Sequence, residues 1–127
     1  MGALAKILMI EDEPDIRQVA KLALEAVGGF LVDLAGSGPE GVAAAQRSRP
    51  DLILLDVMMP GMDGLETLAA LRAAGEEAPV VFMTAKVQRH EVERYRALGA
   101  LDVISKPFDP MTLSAKVRLI WESASVQ

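Results

Sequence analysis

The chain has 127 residues, about half of them apolar but only 4% aromatic, which suits one domain with a core of Leu, Val, Ile, Ala and Met and leaves no room for two. Its net charge of −5 argues against a surface that grips nucleic acid or anionic lipid, and the absence of cysteine excludes disulfides, thiolate nucleophiles and Cys-ligated zinc. No apolar stretch approaches membrane-spanning length, and the expected setting is the reducing cytoplasm, with no membrane partner.

The apolar start MGALAKILMI runs directly into the charged EDEPD without a cleavage-type segment, and Lys6 stands where a myristoylation motif wants Ser or Thr. Ile7 to Ile10 reads as a strand, and Pro14 after three acids opens a helix, since proline suits its first turn and acids suit its amino end. Ile16, Val19, Ala20, Ala23, Leu24 and Val27 recur at helical spacing, which predicts one inward face before Gly28 and Gly29 end the helix. Phe30 to Ala35 reads as an edge strand because Asp33 interrupts it. Ser37 caps an Ala-rich helix that runs to about Arg47.

Leu52 to Leu55 then lead to a lone carboxylate, Asp56, and to a turn built on Pro60, Gly61 and Gly64. A short apolar run bounded by turn residues predicts a strand buried on both faces, with Asp56 at its carboxyl end. Leu65, Leu68, Ala69 and Leu71 predict a third helix, capped by Asp63 and closed near Gly75. VVFMTA predicts a strand ending on Thr84, and Val92, Tyr95 and Leu98 share one face of the helix after it. Leu101 to Ser105 gives a fifth strand before Lys106-Pro107, and Leu113, Val117, Ile120 and Trp121 point inward from a last helix starting near Asp109-Pro110. Strands alternating with helices imply an α/β fold, a parallel sheet covered on both faces by right-handed crossovers.

In such a sheet the residues just past the strand ends share one edge, where ligands bind, and this gathers Glu11, Asp12, Asp56, Thr84 and Lys106. Two like charges about 4 Å apart repel by roughly 4 kcal/mol at an effective dielectric near 20, so three carboxylates with one lysine imply a cation. Oxygen donors suit a hard divalent ion such as magnesium, and His90, far away on a helix, gives no zinc site. A carboxylate can act as a nucleophile towards phosphorus, a role open to Asp56, while Lys106 and the Thr84 hydroxyl can bond phosphoryl oxygens.

The acidic pair in IEDEPD, the run LILLDVMMPGMDG, Thr84-Ala85 after an apolar strand, and Lys106-Pro107-Phe108, in this order and spacing, resemble the receiver domain of bacterial two-component response regulators. The resemblance implies a flavodoxin-like (βα)5 fold with strand order 2-1-3-4-5 and a single receiver domain over residues 1–127. It implies Asp56 as phosphoacceptor, Asp12 as a direct magnesium ligand, and Glu11 reaching the metal through water. Met58 would lend its backbone carbonyl to the ion, Thr84 is the switch hydroxyl, and Lys106 precedes a proline that is commonly cis. Met58 and Lys86 match variable positions that tune phosphoryl lifetime. The implied partners are a sensor histidine kinase or histidine phosphotransfer protein and a downstream protein target, with no direct nucleic-acid contact. Dimerisation through the fourth helix, fifth strand and fifth helix is left open.

The sequence departs from the family at Glu11, where Asp is frequent, and at Val103, where a Tyr or Phe usually turns inward with the switch hydroxyl. Beyond its own phosphoryl transfer and dephosphorylation no enzymatic activity is implied. The alternatives are a phosphorylation-independent binding module, which Val103 keeps open, an aspartyl phosphatase, which would need an acid at Met58, and an FMN carrier, whose phosphate the EDEPD loop would repel. Read singly, Glu13 is a cap for the first helix, and His90 is an exposed helix residue. The methionines at 58, 59, 62 and 83 fill space near the site. With Gln127 following the last helix, the expectation is a stand-alone receiver or an excised piece.

Overall fold

The computed structural model describes residues 2–125, so Met1 of the Met-Gly start and Gln127 lie outside the described residues. The elements run β1 (Lys6–Ile10), α1 (Pro14–Leu22) continued by a π-helical turn (Ala23–Val27), β2 (Leu31–Ala35), α2 (Gly38–Ser48), β3 (Leu52–Asp56), α3 (Gly64–Ala73), β4 (Val80–Thr84), α4 (Arg89–Ala97), β5 (Asp102–Ser105) and α5 (Leu113–Ser125). Every pairing between strands is parallel, and the order is β2-β1-β3-β4-β5. This is the order the resemblance implies, with β2 and its exposed Asp33 at an edge. The chain leaves β1 for β2 on one side and returns to β3 on the other, so the crevice at the carboxyl ends of β1 and β3 is the topological switch point.

The sheet separates two layers of core, and strand alternation assigns each residue to one of them. Ile7, Met9, Leu52, Leu54, Val81, Met83 and Ile104 face the layer closed by Leu24 and by Leu113, Val117 and Trp121 of α5. Leu8, Ile10, Ile53, Leu55, Val80 and Phe82 face the layer closed by Ala44, Leu68, Leu71 and Tyr95. Burying each large aliphatic side chain contributes about 1.5–3 kcal/mol, which is why five-residue strands suffice. Asp51 ties the start of β3 to β1 by accepting from the amides of Ala5 (3.0 Å) and Lys6 (2.9 Å).

The helix ends follow the sequence closely in some places and not in others. Ser37 accepts from the Glu40 amide (3.3 Å), and Asp63 with Glu66 forms a reciprocal capping box on α3. Glu13 occupies the N-cap position of α1 but its side chain makes no cap bond, which corrects the capping role read from the sequence. The helical spacing predicts Val19 and Val27 on the inward face, yet they are 43% and 52% exposed. The π-helical turn at Ala23–Val27 adds a residue to the last coil and turns Val27 off the apolar stripe, whereas Val19 lies before it in regular helix and borders the Pro107–Phe108 side of the sheet edge; Ala20, Ala23 and Leu24 are the buried residues of this helix. Leu98 is 51% exposed because it stands at the C-cap of α4, and Ala69 also faces outward.

Candidate functional site

Period-two alternation carries the chemistry to one place. Glu11 continues the face of Ile7 and Met9, Asp56 that of Leu52 and Leu54, and Lys106 that of Ile104, so the three meet above the same core layer. One carboxylate oxygen from each of Glu11, Asp12 and Asp56 lies within 4.8 Å of the other two. Lys106 crosses from the end of β5, its Nζ 2.7 Å from Glu11 Oε1 and 3.3 Å from Asp56 Oδ1. Asp56 Oδ1 also accepts from the Met58 amide at 3.2 Å. The Lys106–Pro107 peptide is cis. Glu11, Asp56 and Thr84 are buried, while Asp12 is half-buried and opens to solvent.

The electrostatics follow from this crowding. Burial, and after it the neighbouring Asp56 carboxylate, push the Glu11 carboxyl up to about 8 against the pull of Lys106. Burial lowers the affinity of Lys106 for its proton, but the two carboxylates outweigh that and hold the ammonium above its ordinary value. The other Glu11 oxygen, Oε2, is buried with no hydrogen-bond partner. A crowded all-oxygen set with one unpartnered buried oxygen and one water-facing carboxylate fits a hard divalent cation such as magnesium.

Thr84 sits at the same edge but on the opposite face, continuing Val80 and Phe82. Its hydroxyl accepts from the Lys86 amide at 3.1 Å, and its carbonyl accepts from the Lys106 amide at 2.9 Å. Below it, Phe82 meets Tyr95 of α4 edge to face, ring centres 5.3 Å apart. Val103 is the ladder partner of Phe82, so the small side chain on β5 lies beside an aromatic pair supplied by β4 and α4. Met59 and Met83 pack inward as expected, but Met58 is 69% exposed and fills no space. His90 is exposed.

One contact at the site is not legible from sequence motifs. Arg17, in the first turn of α1, reaches back so that its Nη1 donates to the carbonyls of Glu11 (2.7 Å) and Asp12 (3.1 Å). A lone guanidinium a turn after an acidic loop is its only sequence signal. Beside Lys106, an apolar groove of about 210 Å³ is lined by Ile16, Val19, Pro107 and Phe108.

Comparison with known proteins agrees with this geometry. A family model described as the response regulator receiver domain matches residues 7–118. The chain is 40% identical over 121 residues to the transcriptional regulatory protein DltR of Streptococcus agalactiae, covering 95% of this chain and 54% of that protein. It is 37% identical over 113 residues to the DNA-binding response regulator MtrA of Mycolicibacterium smegmatis, covering 89% and 49%. The chain thus spans about half the length of the curated relatives it matches. The solved structure of the chemotaxis protein CheY4 of Vibrio cholerae superposes with a TM-score of 0.82 at 33% identity, covering 93% of this chain and 99% of that one.

Proposed function

The chain belongs to the response regulator receiver domain family, and from that premise we propose that Asp56 takes a phosphoryl group from a phosphohistidine donor, with magnesium held by Glu11, Asp12, Asp56 and the Met58 backbone carbonyl. As a receiver domain it is a signalling module of two-component phosphorelay. The observation that carries the assignment of residues is the convergence of three carboxylates within 4.8 Å, bridged by Lys106 and leaving Glu11 Oε2 unpartnered.

Magnesium, when bound, offsets the negative charge of the incoming phosphoryl oxygens. The residues of the chain do the rest. An oxygen of Asp56 attacks phosphorus as the donor's P–N bond breaks, which leaves an acyl phosphate on Asp56 and returns the donor imidazole. The Met58 amide, already bonded to Asp56 Oδ1, holds the carboxylate in place. Lys106 moves from the carboxylates to a phosphoryl oxygen, a charge-assisted bond stronger than a neutral one. The Thr84 hydroxyl turns from the Lys86 amide to the new group, which adds nearly two negative charges and three acceptors. Apart from its own phosphorylation and hydrolysis the domain performs no catalysis.

The partners are a sensor histidine kinase or phosphotransfer protein and a downstream protein target, all in the cytoplasm. The apolar groove of Ile16, Val19, Pro107 and Phe108 beside Lys106 supports a protein donor. DNA binding is named for MtrA and stays with that protein; a net charge of −5 argues against nucleic acid as the partner of this domain. No helix among the described residues is long and apolar enough to cross a membrane. An aspartyl phosphatase would need an acid where Met58 stands, and a phosphorylation-independent module would have no use for the gathered acids and lysine.

Intact mass after incubation with acetyl phosphate and magnesium tests the reading. One labile phosphoryl group on the parent is expected, and none on Asp56→Asn or with chelator present. No adduct on the folded parent refutes it.

A further inference from the structure

We propose that Arg17 is the positioning residue of the metal-binding loop, and that magnesium affinity depends on its grip on the Glu11 and Asp12 carbonyls. The inference rests on the receiver reading above and extends it to a residue outside the acidic set. Glu11 is still anchored on its amide side, where its N–H donates to Ala35 of β2 at 3.0 Å. Beyond that bond the loop leaves the sheet, since the β1–β3 register ends at Ile10 and Leu55. The carbonyls of Glu11 and Asp12 would otherwise be left to water at the point where two carboxylates must be aimed at one ion. A single guanidinium nitrogen binds both, at 2.7 and 3.1 Å, and fixes the peptide planes on either side of the Asp12 Cα.

The base of this arm is rigid. Arg17 donates its own amide to Glu13 at 3.0 Å, so its backbone is in the first hydrogen-bonded turn of α1. The same turn that ends the loop therefore supplies the side chain that holds it. The two basic residues of the site divide the work by what they touch. Lys106 occupies carboxylate oxygens of Glu11 and Asp56 and must yield them. Arg17 bonds only backbone oxygens, so its positive charge offsets the crowded acids without competing with a cation for their side chains. Lysine would keep the charge and the donors but its nitrogen lies one bond closer to the backbone than Nη1, and methionine keeps only the stem.

Calorimetric titration with magnesium of the parent, Arg17→Met and Arg17→Lys tests this, with amide hydrogen exchange of Glu11 and Arg17, whose N–H groups bond Ala35 and Glu13 at the two ends of the loop, recorded without metal. Arg17→Met is expected to weaken magnesium binding by about tenfold, the scale typical of residues that orient metal ligands, and to raise the magnesium needed for half-maximal phosphorylation by the same factor. Loop amides should exchange faster in that variant while those of the strands do not change, and Arg17→Lys should lie between the two. Equal magnesium affinity in parent and folded Arg17→Met overturns the proposal alone. So does weakened binding in Arg17→Met with loop exchange unchanged, or faster exchange throughout the strands. A parent that binds no magnesium overturns it together with the receiver reading.

Discussion

Neutralising Asp12 should stabilise the protein in chelator and destabilise it in magnesium. At 4.8 Å and an effective dielectric of 20, two unit charges repel by about 3.5 kcal/mol. Asp12 faces water, Glu11 is mostly protonated at neutral pH so that Asp56 is the charged neighbour, and salt screens part of the remainder, so about 2 kcal/mol of that survives. Asp12 also lies at the amino end of α1, where losing a carboxylate costs about 0.5 kcal/mol. The net gain for Asp12→Asn is about 1.5 kcal/mol, which at an m-value of about 2 kcal/mol/M raises the urea midpoint by roughly 0.7 M. Magnesium at a hundred times its dissociation constant stabilises the parent by about 2.7 kcal/mol, and most of that is absent from the variant. The order then inverts, with the parent ahead by at most about 1.2 kcal/mol. Urea unfolding followed by circular dichroism, with chelator and with magnesium, gives both comparisons. A variant less stable than the parent in chelator refutes the repulsion argument, and equal magnesium shifts in both proteins refute Asp12 as a ligand.

Two further expectations concern backbone that the site depends on. A Cβ on Gly64 would lie 2.6 Å from both the Asp56 carbonyl oxygen and the Val57 Cα, main-chain atoms with no rotamer to change. Gly64→Ala should therefore cost about 1–3 kcal/mol by urea unfolding and slow phosphorylation of Asp56, because the displaced peptide is its own; unchanged kinetics would show that α3 simply shifts away. Arg49 ends α2 at φ 50 with its side chain exposed, so Arg49→Gly should raise stability by about 0.5–1 kcal/mol, the left-handed strain relieved less the entropy glycine adds to the unfolded chain. A lower midpoint would mean the Arg49 side chain holds something at the α2–β3 turn.

Much of this architecture is local and therefore legible in one dimension. LILLD and VVFMT are too apolar for anything but strands buried on both faces, and the observed β3 and β4 are buried throughout. Ser37 and Asp63 announce their helices because a cap is satisfied within three residues. The meeting of Glu11, Asp56 and Lys106 is also a sequence property once the sheet is parallel, since alternation from Met9, Leu54 and Ile104 puts all three on one face. The misreadings arise where a non-local choice overrides the pattern. The spacing of Val27 fits a regular helix, but the π-helical turn at Ala23–Val27 breaks the period there, and its Ala23 carbonyl receives the Ser114 hydroxyl from α5, 91 residues away. Val103 looks in sequence like a missing aromatic, yet packing puts Phe82 beside it and Tyr95 from another helix against that ring. Strand order and the reach of Arg17 back onto its own loop are likewise decided by how the layers pack. Residue identity and periodicity thus determined the elements and which groups bear the chemistry; which of those groups touch was settled only in three dimensions, where burial brings Lys106 onto the carboxylate oxygens and Arg17 onto the loop carbonyls.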